Sequence, residues 1–286
     1  MKQMANANEG RRVAIVTGGA SGIGRAIAEE LVRRHVEVVI ADRQLELGQQ
    51  VADALRARGA EAHAAEVDVR SFASVKRVVD ETLARSGRLD YFFNNAGIAV
   101  SGPMESYALA DWDDVFDVNL RGVAYGVQAA YPVMIEQGFG HIVNTASVAG
   151  LVPSGGHGSY TASKFAVVGL SKALRVEAAC HGVRVSVLCP GAVRTPILNG
   201  GKYGRMLGAG VAEQVERALE RIRPIEPELF ARRAVAAVLR NVAVIVLPRW
   251  WKIPWYVERI APALNLWLFS RLFERVRRRM TIALRA

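Results

Sequence analysis

The sequence of 286 residues is poor in the features that mark secreted and membrane-spanning proteins. Its two cysteines, Cys180 and Cys189, cannot supply a disulfide framework, and neither has a metal-binding neighbour at useful spacing. No unbroken apolar run reaches the roughly 18 residues of a membrane-spanning helix. The first twelve residues are polar and basic, unlike a secretory signal. We therefore expect a cytoplasmic protein without a bound metal.

Positive charge is concentrated at the C-terminal end of the chain. Residues 249–286 contain nine Lys or Arg and two Glu, a net charge of +7, whereas the whole chain carries +10. The preceding residues therefore carry only +3, which gives no support to nucleic-acid binding by the larger part of the chain. Apolar residues make up 51% of the sequence, a share that excludes an intrinsically disordered protein.

Short apolar runs alternate with helix-length segments along most of the chain. The pattern predicts strands at 12–17, 36–41, 61–67, 89–94, 141–145, 183–188 and 242–247. It predicts helices at 23–35, 44–58, 71–86, 112–137 and 159–181. This repetition indicates the α/β class, with a doubly wound parallel sheet of about seven strands in a single-domain Rossmann fold spanning residues 1–248. Residues 191–227 lack a clear period and predict a loop region near a site, in which 211–222 can form a lid helix.

A glycine-rich turn, T-G-G-A-S-G-I-G, joins the first predicted strand to the first predicted helix. Glycine lets the backbone turn sharply and approach a pyrophosphate, while the helix N-terminus offers free N–H groups and the positive end of its dipole. The turn spans Thr17 to Gly24 and supplies these candidate cofactor residues: Gly18, Ser21, Gly22, Ile23 and Gly24. A purely structural turn is the alternative, which the surrounding β-α-β pattern disfavours.

The end of the second predicted strand bears on the choice of dinucleotide. Asp42 lies 18 residues after Gly24, where a carboxylate can accept hydrogen bonds from the adenine-side ribose and repel a 2′-phosphate. Arg43 beside it opposes this interpretation, because a guanidinium can bind that phosphate. We expect NAD as the cofactor, with NADP as the open alternative.

Further motifs make the sequence resemble the short-chain dehydrogenase/reductase family over residues 12–196. Besides the glycine turn, the matching segments are Asp68-Val69, N-N-A-G at 94–97, Asn119, Ser147, Tyr160-x-x-x-Lys164 and P-G-A-V-R-T at 190–195. One Tyr-x-x-x-Lys pair carries little weight, but all the segments together in the family's order and spacing do. The resemblance implies a nicotinamide-dependent oxidoreductase that acts on CH–OH groups, and a homodimer or homotetramer paired through the helices that hold Asn119 and Tyr160.

The chemistry of hydride transfer explains the four residues that match the family's catalytic positions. Oxidation of an alcohol requires removal of its hydroxyl proton, which Tyr160 can accept only if its pKa falls from about 10 toward neutrality. Lys164 lies one helical turn later, where its ammonium can favour the phenolate. The resemblance implies that Ser147 holds the substrate oxygen and that Asn119 supports a water near the lysine.

The remaining site residues follow from the resemblance and from their neighbourhood in the sequence. Contacts to the cofactor are implied for Asp68, Val69, Asn95, Ala96, Gly97, Pro190, Gly191, Val193 and Thr195, in addition to Tyr160 and Lys164. Asn144 is expected to brace the loop at Asn95. Besides residues of the 194–226 loop, the expected substrate wall consists of Ser147, Val148, Ala149, Leu151, Val152, Pro153, His157 and Tyr160. Its apolar character favours a lipophilic alcohol or ketone, and His157 is a weaker candidate for a base than Tyr160.

The C-terminal extension, residues 249–286, is basic and rich in tryptophan. It contains four of the five tryptophans, namely Trp250, Trp251, Trp255 and Trp267. Residues 262–279 have helical spacing that places six apolar side chains on one face, namely Leu266, Leu268, Phe269, Leu272, Phe273 and Val276. Such a helix suits contact with an anionic membrane surface, and packing on the protein itself or on a partner subunit is the open alternative.

Three functions are compatible with these features. The first is an NAD-dependent dehydrogenase of secondary alcohols. The second is an NADP-dependent carbonyl reductase, which Arg43 would favour. The third is a nucleotide-binding scaffold without catalysis, against which the complete set of catalytic residues argues.

Overall fold

The computed structural model describes residues 11–199, 203–207 and 224–283, with backbone alone at 199, 276 and 278–283. The described residues form nine strands: β1 Val13–Thr17, β2 Glu37–Asp42, β3 Ala62–Glu66, β4 Tyr91–Asn94, β5 Ala99–Ser101, β6 Gly140–Thr145, β7 Val183–Pro190, β8 Gly204–Met206 and β9 Val244–Leu247. They also form nine α-helices: α1 Gly22–Val32, α2 Leu45–Arg56, α3 Phe72–Ser86, α4 Leu109–Phe116, α5 Gly122–Gln137, α6 Gly158–Ala178, α7 Pro227–Leu239, α8 Lys252–Ile260 and α9 Pro262–Ala283.

Seven strands form one parallel sheet in the order β3-β2-β1-β4-β6-β7-β9. Helices α1, α2 and α7 pack on one face, and α3, α5 and α6 pack on the other. Because both faces are covered, β1 and β2 are buried along their whole length, which explains their continuous runs of Val, Ile and Ala. This is the doubly wound α/β fold of the Rossmann type. The strand order reverses between β1 and β4, where such sheets bind ligands at the carboxyl ends of their strands.

The predicted strands and helices lie where the structure has them, apart from differences at their ends, and the structure adds strands β5 and β8 and helices α7 and α8. Helices α7 and α8 were not predicted, because the irregular stretch before α7 and the clustered tryptophans before α8 obscure their periodicity. The predicted helix 112–137 begins at Leu109 and contains a π-helical turn, Asp117–Arg121, between α4 and α5. The predicted lid helix 211–222 lies outside the described residues.

Helices α8 and α9 follow β9 and lie against the sheet assembly. Trp251, Trp255 and Phe269 pack on the cluster that includes Val168 and Cys189. At the corner between the two helices, the buried Asn265 donates a hydrogen bond of 2.7 Å from Nδ2 to Glu258 Oε2. Within the described ranges, no helix has both the length and the apolar content needed to cross a bilayer.

Candidate active site

A cleft of about 1020 Å³ opens at the carboxyl ends of the central strands. The first part of its wall comes from residues predicted to bind the cofactor: Gly18, Ser21, Gly22, Ile23, Asp42, Arg43, Asp68, Val69, Asn95, Ala96, Gly97, Pro190, Gly191, Val193 and Thr195. The second part includes the predicted catalytic and substrate residues Ser147, Val148, Ala149, His157, Tyr160 and Lys164. The fold therefore brings together residues from widely separated parts of the sequence around one cavity.

Gly18 and Gly24 of the glycine turn have no room for a side chain. Gly18 adopts a φ of 62°, and a Cβ there would lie 2.9 Å from the Cα of Ala96. A Cβ at Gly24, in the first turn of α1, would collide with the carbonyl oxygen of Gly18. Gly24 lies beneath the turn and supports its shape. The turn can therefore stay close to the loop after β4 while α1 begins at the edge of the cleft.

Thr17 is a structural residue of the site whose role the sequence did not reveal. Its buried Oγ1 accepts hydrogen bonds from the backbone N–H groups of Asn95 and Ala96, at 3.0 and 3.1 Å. It also donates to the carbonyl oxygen of Phe93 at 3.2 Å. One hydroxyl thus joins the glycine turn to the loop after β4. A threonine at the end of a buried strand gives no sequence signal for this role, because β-branched residues are common there.

Asp42 ends β2 with both carboxylate oxygens engaged by backbone N–H groups. Oδ2 accepts from Ala20 at 3.1 Å, and Oδ1 accepts from Gln44 at 3.0 Å. The side chain is buried at the cleft, whereas Arg43 beside it is exposed. The carboxylate is therefore fixed in place at the position where an adenine-side ribose binds in this fold.

Asp68, expected to meet the adenine, has a close partner within the protein. Its carboxylate accepts hydrogen bonds from Arg70, with an Nη2 to Oδ2 distance of 2.6 Å. The side-chain hydrogen bond from Arg70 holds the pKa of Asp68 below its usual value, which burial opposes. The group is therefore an anion paired with a cation at the rim of the cleft.

Three of the four predicted catalytic side chains, those of Ser147, Tyr160 and Lys164, meet between β6 and α6. Ser147 follows β6, and its Oγ accepts a hydrogen bond of 3.1 Å from the N–H of Ala149. Tyr160 lies in the first turn of α6, with its hydroxyl group beside that of Ser147. Lys164, one turn later, places Nζ 5.5 Å from the centre of the Tyr160 ring and donates to the carbonyl oxygen of Thr145 at 2.9 Å.

The electrostatics of this group correct one expectation from the sequence. Burial raises the pKa of Tyr160, and the hydrogen bond with Ser147 opposes that rise, so the expected fall toward neutrality is wrong for these surroundings. Burial also lowers the pKa of Lys164 to about 8. Both shifts have the same cause, which is that the desolvated pocket disfavours charge on either residue.

Asn119 lies in the π-helical turn and is fully buried. Its amide pairs twice with Ile98, accepting from the backbone N–H and donating to the backbone carbonyl, each at 2.9 Å. Nδ2 also lies 3.3 Å from the Oγ of Ser163, which donates to the carbonyl oxygen of Tyr160. Asn119 therefore joins the loop after β4 to α6 from below the cleft. A π-turn often accompanies a functional position, but nothing in the sequence predicted it.

Part of the predicted substrate wall needs correction. Leu151 and Val152 are 5% and 2% exposed and belong to the core packed around α6, because the short 3₁₀ turn after Ser147 directs them inward. Asn144 agrees with the expectation, because it pairs with Asn94 at 2.9 Å, directly before Asn95, and with Ser171 at 3.0 Å.

His157 precedes α6 and lies at the side of the cleft. Its ring centre is 6.5 Å from that of Tyr160, and its Nδ1 lies 3.3 Å from the carbonyl oxygen of Gly155. Burial lowers the pKa of His157, which favours the neutral imidazole at neutral pH. This surrounding wall, with Val148 and Ala149, is mostly apolar.

The C-terminal extension packs on the protein itself, which is the alternative that the sequence left open, and it reaches both walls of the cleft. A Cβ at Gly191 would collide with the indole of Trp251, whose Nε1 is buried without a hydrogen-bond partner among the described residues. Phe273 of α9 approaches the loop before His157, where a Cβ at Gly155 would lie 2.7 Å from Phe273 Cδ2. The extension is therefore packed against cofactor and substrate sides alike.

The sequence is similar to those of known dehydrogenases and reductases. The profile of the family described as short chain dehydrogenase matches residues 12–202. Levodione reductase of Leifsonia aquatica is 40% identical over 191 residues, which cover 65% of this chain and 71% of that protein. The 2,5-dichloro-2,5-cyclohexadiene-1,4-diol dehydrogenase of Sphingobium indicum is 44% identical over 186 residues, covering 64% and 73%.

A solved structure extends the comparison to nearly the whole chain. The short-chain dehydrogenase/reductase of Burkholderia phymatum in complex with NAD superposes with a TM-score of 0.81 at 32% identity, covering 90% of this chain and 95% of that one. The chain therefore belongs to the short-chain dehydrogenase family. It is an oxidoreductase that transfers hydride between a nicotinamide dinucleotide and an alcohol or ketone.

Proposed function

We propose that this protein is an NAD-dependent dehydrogenase of lipophilic secondary alcohols, with Tyr160 as general acid and base. The observation that carries the proposal is the meeting of Ser147, Tyr160 and Lys164 beside the glycine turn in one cleft. A bound nicotinamide ring supplies the hydride acceptor or donor. Residues 1–248 would act as one catalytic domain, with 249–286 as its extension.

The cleft has the shape and the donors that a dinucleotide requires. The turn at Gly18 is free of side chains where a pyrophosphate would approach, and α1 begins beside it. Asp42 would accept hydrogen bonds from the adenine-side ribose, and Lys164 and Thr195 would hold the nicotinamide end. Asn95, Ala96 and the other lining residues expected from the sequence complete this assignment.

The chain's own groups would move the proton as follows. Ser147 donates a hydrogen bond to the substrate oxygen. This bond orients the substrate so that the proton of the substrate hydroxyl points toward Tyr160. In oxidation, the Tyr160 phenolate accepts that proton as hydride leaves the carbon, and in reduction the phenol returns it. The Lys164 ammonium, 5.5 Å from the centre of the Tyr160 ring, would stabilise the phenolate, and its hydrogen bond to the carbonyl of Thr145 holds the lysine in place. Asn119 would act through position, by holding the loop at Ile98 against α6.

NAD is favoured over NADP because the buried Asp42 carboxylate would lie beside a 2′-phosphate. The exposed Arg43 favours the alternative, an NADP-dependent carbonyl reductase. The test compares the KM of both dinucleotides for the protein and for Asp42→Ala. The ratio of the KM for NADP to the KM for NAD should fall at least about tenfold in the variant, which supports the assignment. A tenfold change corresponds to about 1.4 kcal/mol of lost charge repulsion. Preference for NADP in the unaltered protein would refute it.

The reaction itself is tested by a screen of steroid, retinoid, fatty and small cyclic alcohols with both dinucleotides in parallel. Substrate-dependent reduction of NAD, with highest kcat/KM among the lipophilic alcohols, is the expected result. The apolar wall formed by Val148, Ala149 and the neutral His157 is the reason. A preference for charged sugars would contradict the proposed substrate class. No turnover with any alcohol would favour a scaffold.

We propose a homodimer or homotetramer paired through α5 and α6. Along α6, exposed small or apolar residues recur at helical spacing, namely Ala162, Phe165, Gly169, Ala173 and Val176. Such a stripe allows close approach of a second helix. Light scattering should give the mass of two or four chains, and Phe165→Glu should lower it. A monomeric mass for the unaltered protein would contradict the proposal.

We further propose that the enzyme lies at the periphery of a membrane through residues 249–286. The net charge of +7 and the tryptophans of this segment support contact with an anionic surface. After cell disruption, the protein should sediment with membranes and be released by high salt. Recovery in the supernatant at low salt would contradict this placement.

A further inference from the structure

The C-terminal extension leaves many large apolar side chains in contact with solvent. Nine of them, each between 46% and 83% exposed, form what we call the apolar crown: Trp250, Ile253, Tyr256, Ile260, Leu264, Leu266, Trp267, Leu268 and Leu272. Single exposed apolar residues are ordinary on protein surfaces, whereas a group of this size concentrated on consecutive helices marks a contact surface.

On α8 the crown occupies one face of the helix. Ile253, Tyr256 and Ile260 are spaced three and four residues apart, so they project from the same side. Trp255 is partly buried against the core and stacks on Tyr256, with ring centres 5.4 Å apart. The inner face of α8 packs on the core, and its exposed face can therefore contact another surface.

On α9 an exposed stripe runs beside the buried face. Leu264, Leu268 and Leu272 recur every fourth residue, while Phe269 packs inward. The hydrogen bond between Asn265 and Glu258 holds α9 to α8. The crown is therefore presented by two helices that are fixed to each other and to the core.

Charge decides between the two occupants that such a surface can take. The extension carries a net charge of +7, and Arg249, Arg259, Arg271 and Arg275 are exposed around the crown. The Arg271 guanidinium lies 5.9 Å from the ring centre of Trp267, so cation and apolar side chain share one surface. A second copy would bring like charges together, whereas anionic lipid is complementary. Tryptophan and tyrosine are also the side chains that favour the bilayer interface.

We propose that the apolar crown docks on an anionic lipid surface, with α8 and α9 lying in the plane of the interface. The same α9 carries Phe273 against the loop at Gly155, and Arg277 pairs with Glu105 at 2.7 Å. Ser154 and His157 of that loop line the cleft. Docking thus places the substrate side of the cleft beside the bilayer, so that a lipophilic alcohol passes to it from the membrane. This passage of substrate from the membrane rests on the proposed function.

The test measures sedimentation of the full chain with vesicles of phosphatidylcholine alone and of phosphatidylcholine mixed with phosphatidylglycerol. Binding is expected to the anionic vesicles and to fall with added salt. The double variant Trp267→Ser, Leu268→Ser should weaken binding at least about tenfold, because two side chains no longer enter the interface. Leu45→Ser is the matched control, since Leu45 is 42% exposed on α2 and Leu268 is 46% exposed. The control should bind as the unaltered protein does.

Three results would overturn the docking proposal. One is absence of binding to anionic vesicles by the unaltered protein. Another is equal binding by the crown variant and the Leu45→Ser control. The third is a smaller oligomer for the crown variant together with no vesicle binding, which would assign the crown to contact between copies. Thermal unfolding of each variant shows that it is folded. Tyr160→Phe separates this proposal from the catalytic one, because it should keep vesicle binding whether or not the catalytic assignment holds.

Discussion

Lys164 and Tyr160 lie one helical turn apart, and the lysine Nζ is 5.5 Å from the centre of the tyrosine ring. Both side chains are desolvated, which raises the pKa of Tyr160 and lowers that of Lys164 to about 8. The phenol is therefore the stable form of Tyr160 at neutral pH, while Lys164 still carries its charge there. Reduction of a ketone starts from these two protonation states, whereas oxidation requires the phenol to lose its proton first.

The pH dependence of the two directions should differ in sign. The rate of ketone reduction should be constant near neutral pH and decline above about pH 8. There Lys164 loses the proton of the ammonium group that would stabilise the forming phenolate. Oxidation should rise with pH as Tyr160 deprotonates. Initial rates measured in both directions across the range test this. In Lys164→Arg the charge persists to higher pH, so the residual reduction should no longer decline near 8. An unchanged midpoint in that variant would contradict the role given to Lys164.

Replacement of Thr17 should weaken both the fold and cofactor binding. Thr17→Val keeps the shape but leaves the N–H groups of Asn95 and Ala96 without their acceptor, at a cost of about 1–3 kcal/mol in the free energy of unfolding. Denaturant titration and NAD binding by calorimetry measure the two effects. Thr17→Ser, which keeps the hydroxyl, should lose only about 1 kcal/mol for the missing methyl. Equal losses in the two variants would show that the hydroxyl is unimportant.

A methyl group at Gly191 should separate the C-terminal extension from the cleft. The Cβ of Gly191→Ala would collide with Trp251, so a loss of about 1–3 kcal/mol in stability and weaker NAD binding are expected. Gly48→Ala is the control, because the nearest atoms to its Cβ lie at 3.7 Å and an alanine suits the interior of α2. Thermal unfolding and calorimetry compare them. Equal stability of the two variants would mean that the extension does not press on Gly191.

Local patterns predicted most of the fold and the residues around the cleft. Buried parallel strands need continuous apolar runs, so Val13–Thr17 and Glu37–Asp42 were visible in the sequence, and the glycine turn between them located the cofactor end. The assembly of Ser147, Tyr160 and Lys164 followed from the family motif.

Features that depend on tertiary contacts were not predictable in the same way. The bond from Lys164 to the carbonyl of Thr145 and the acceptor role of Thr17 use backbone partners that no motif encodes. Leu151 was misplaced because an apolar residue next to a site looks the same in the sequence whether it faces the cleft or the core. The contact of Trp251 with Gly191 joins residues 60 positions apart and leaves no local signal.

The most direct test of the central claim is the effect of Tyr160→Phe on turnover and on NAD binding. The variant removes one hydroxyl from the group that includes Ser147 and Lys164 and keeps the ring in its packing. We expect kcat for an alcohol found in the screen to fall by about 10²–10⁴, the usual contribution of general acid–base catalysis, while the Kd for NAD measured by calorimetry stays within a few-fold. Retention of full turnover by the variant would contradict the assignment of Tyr160 as the proton-transfer residue.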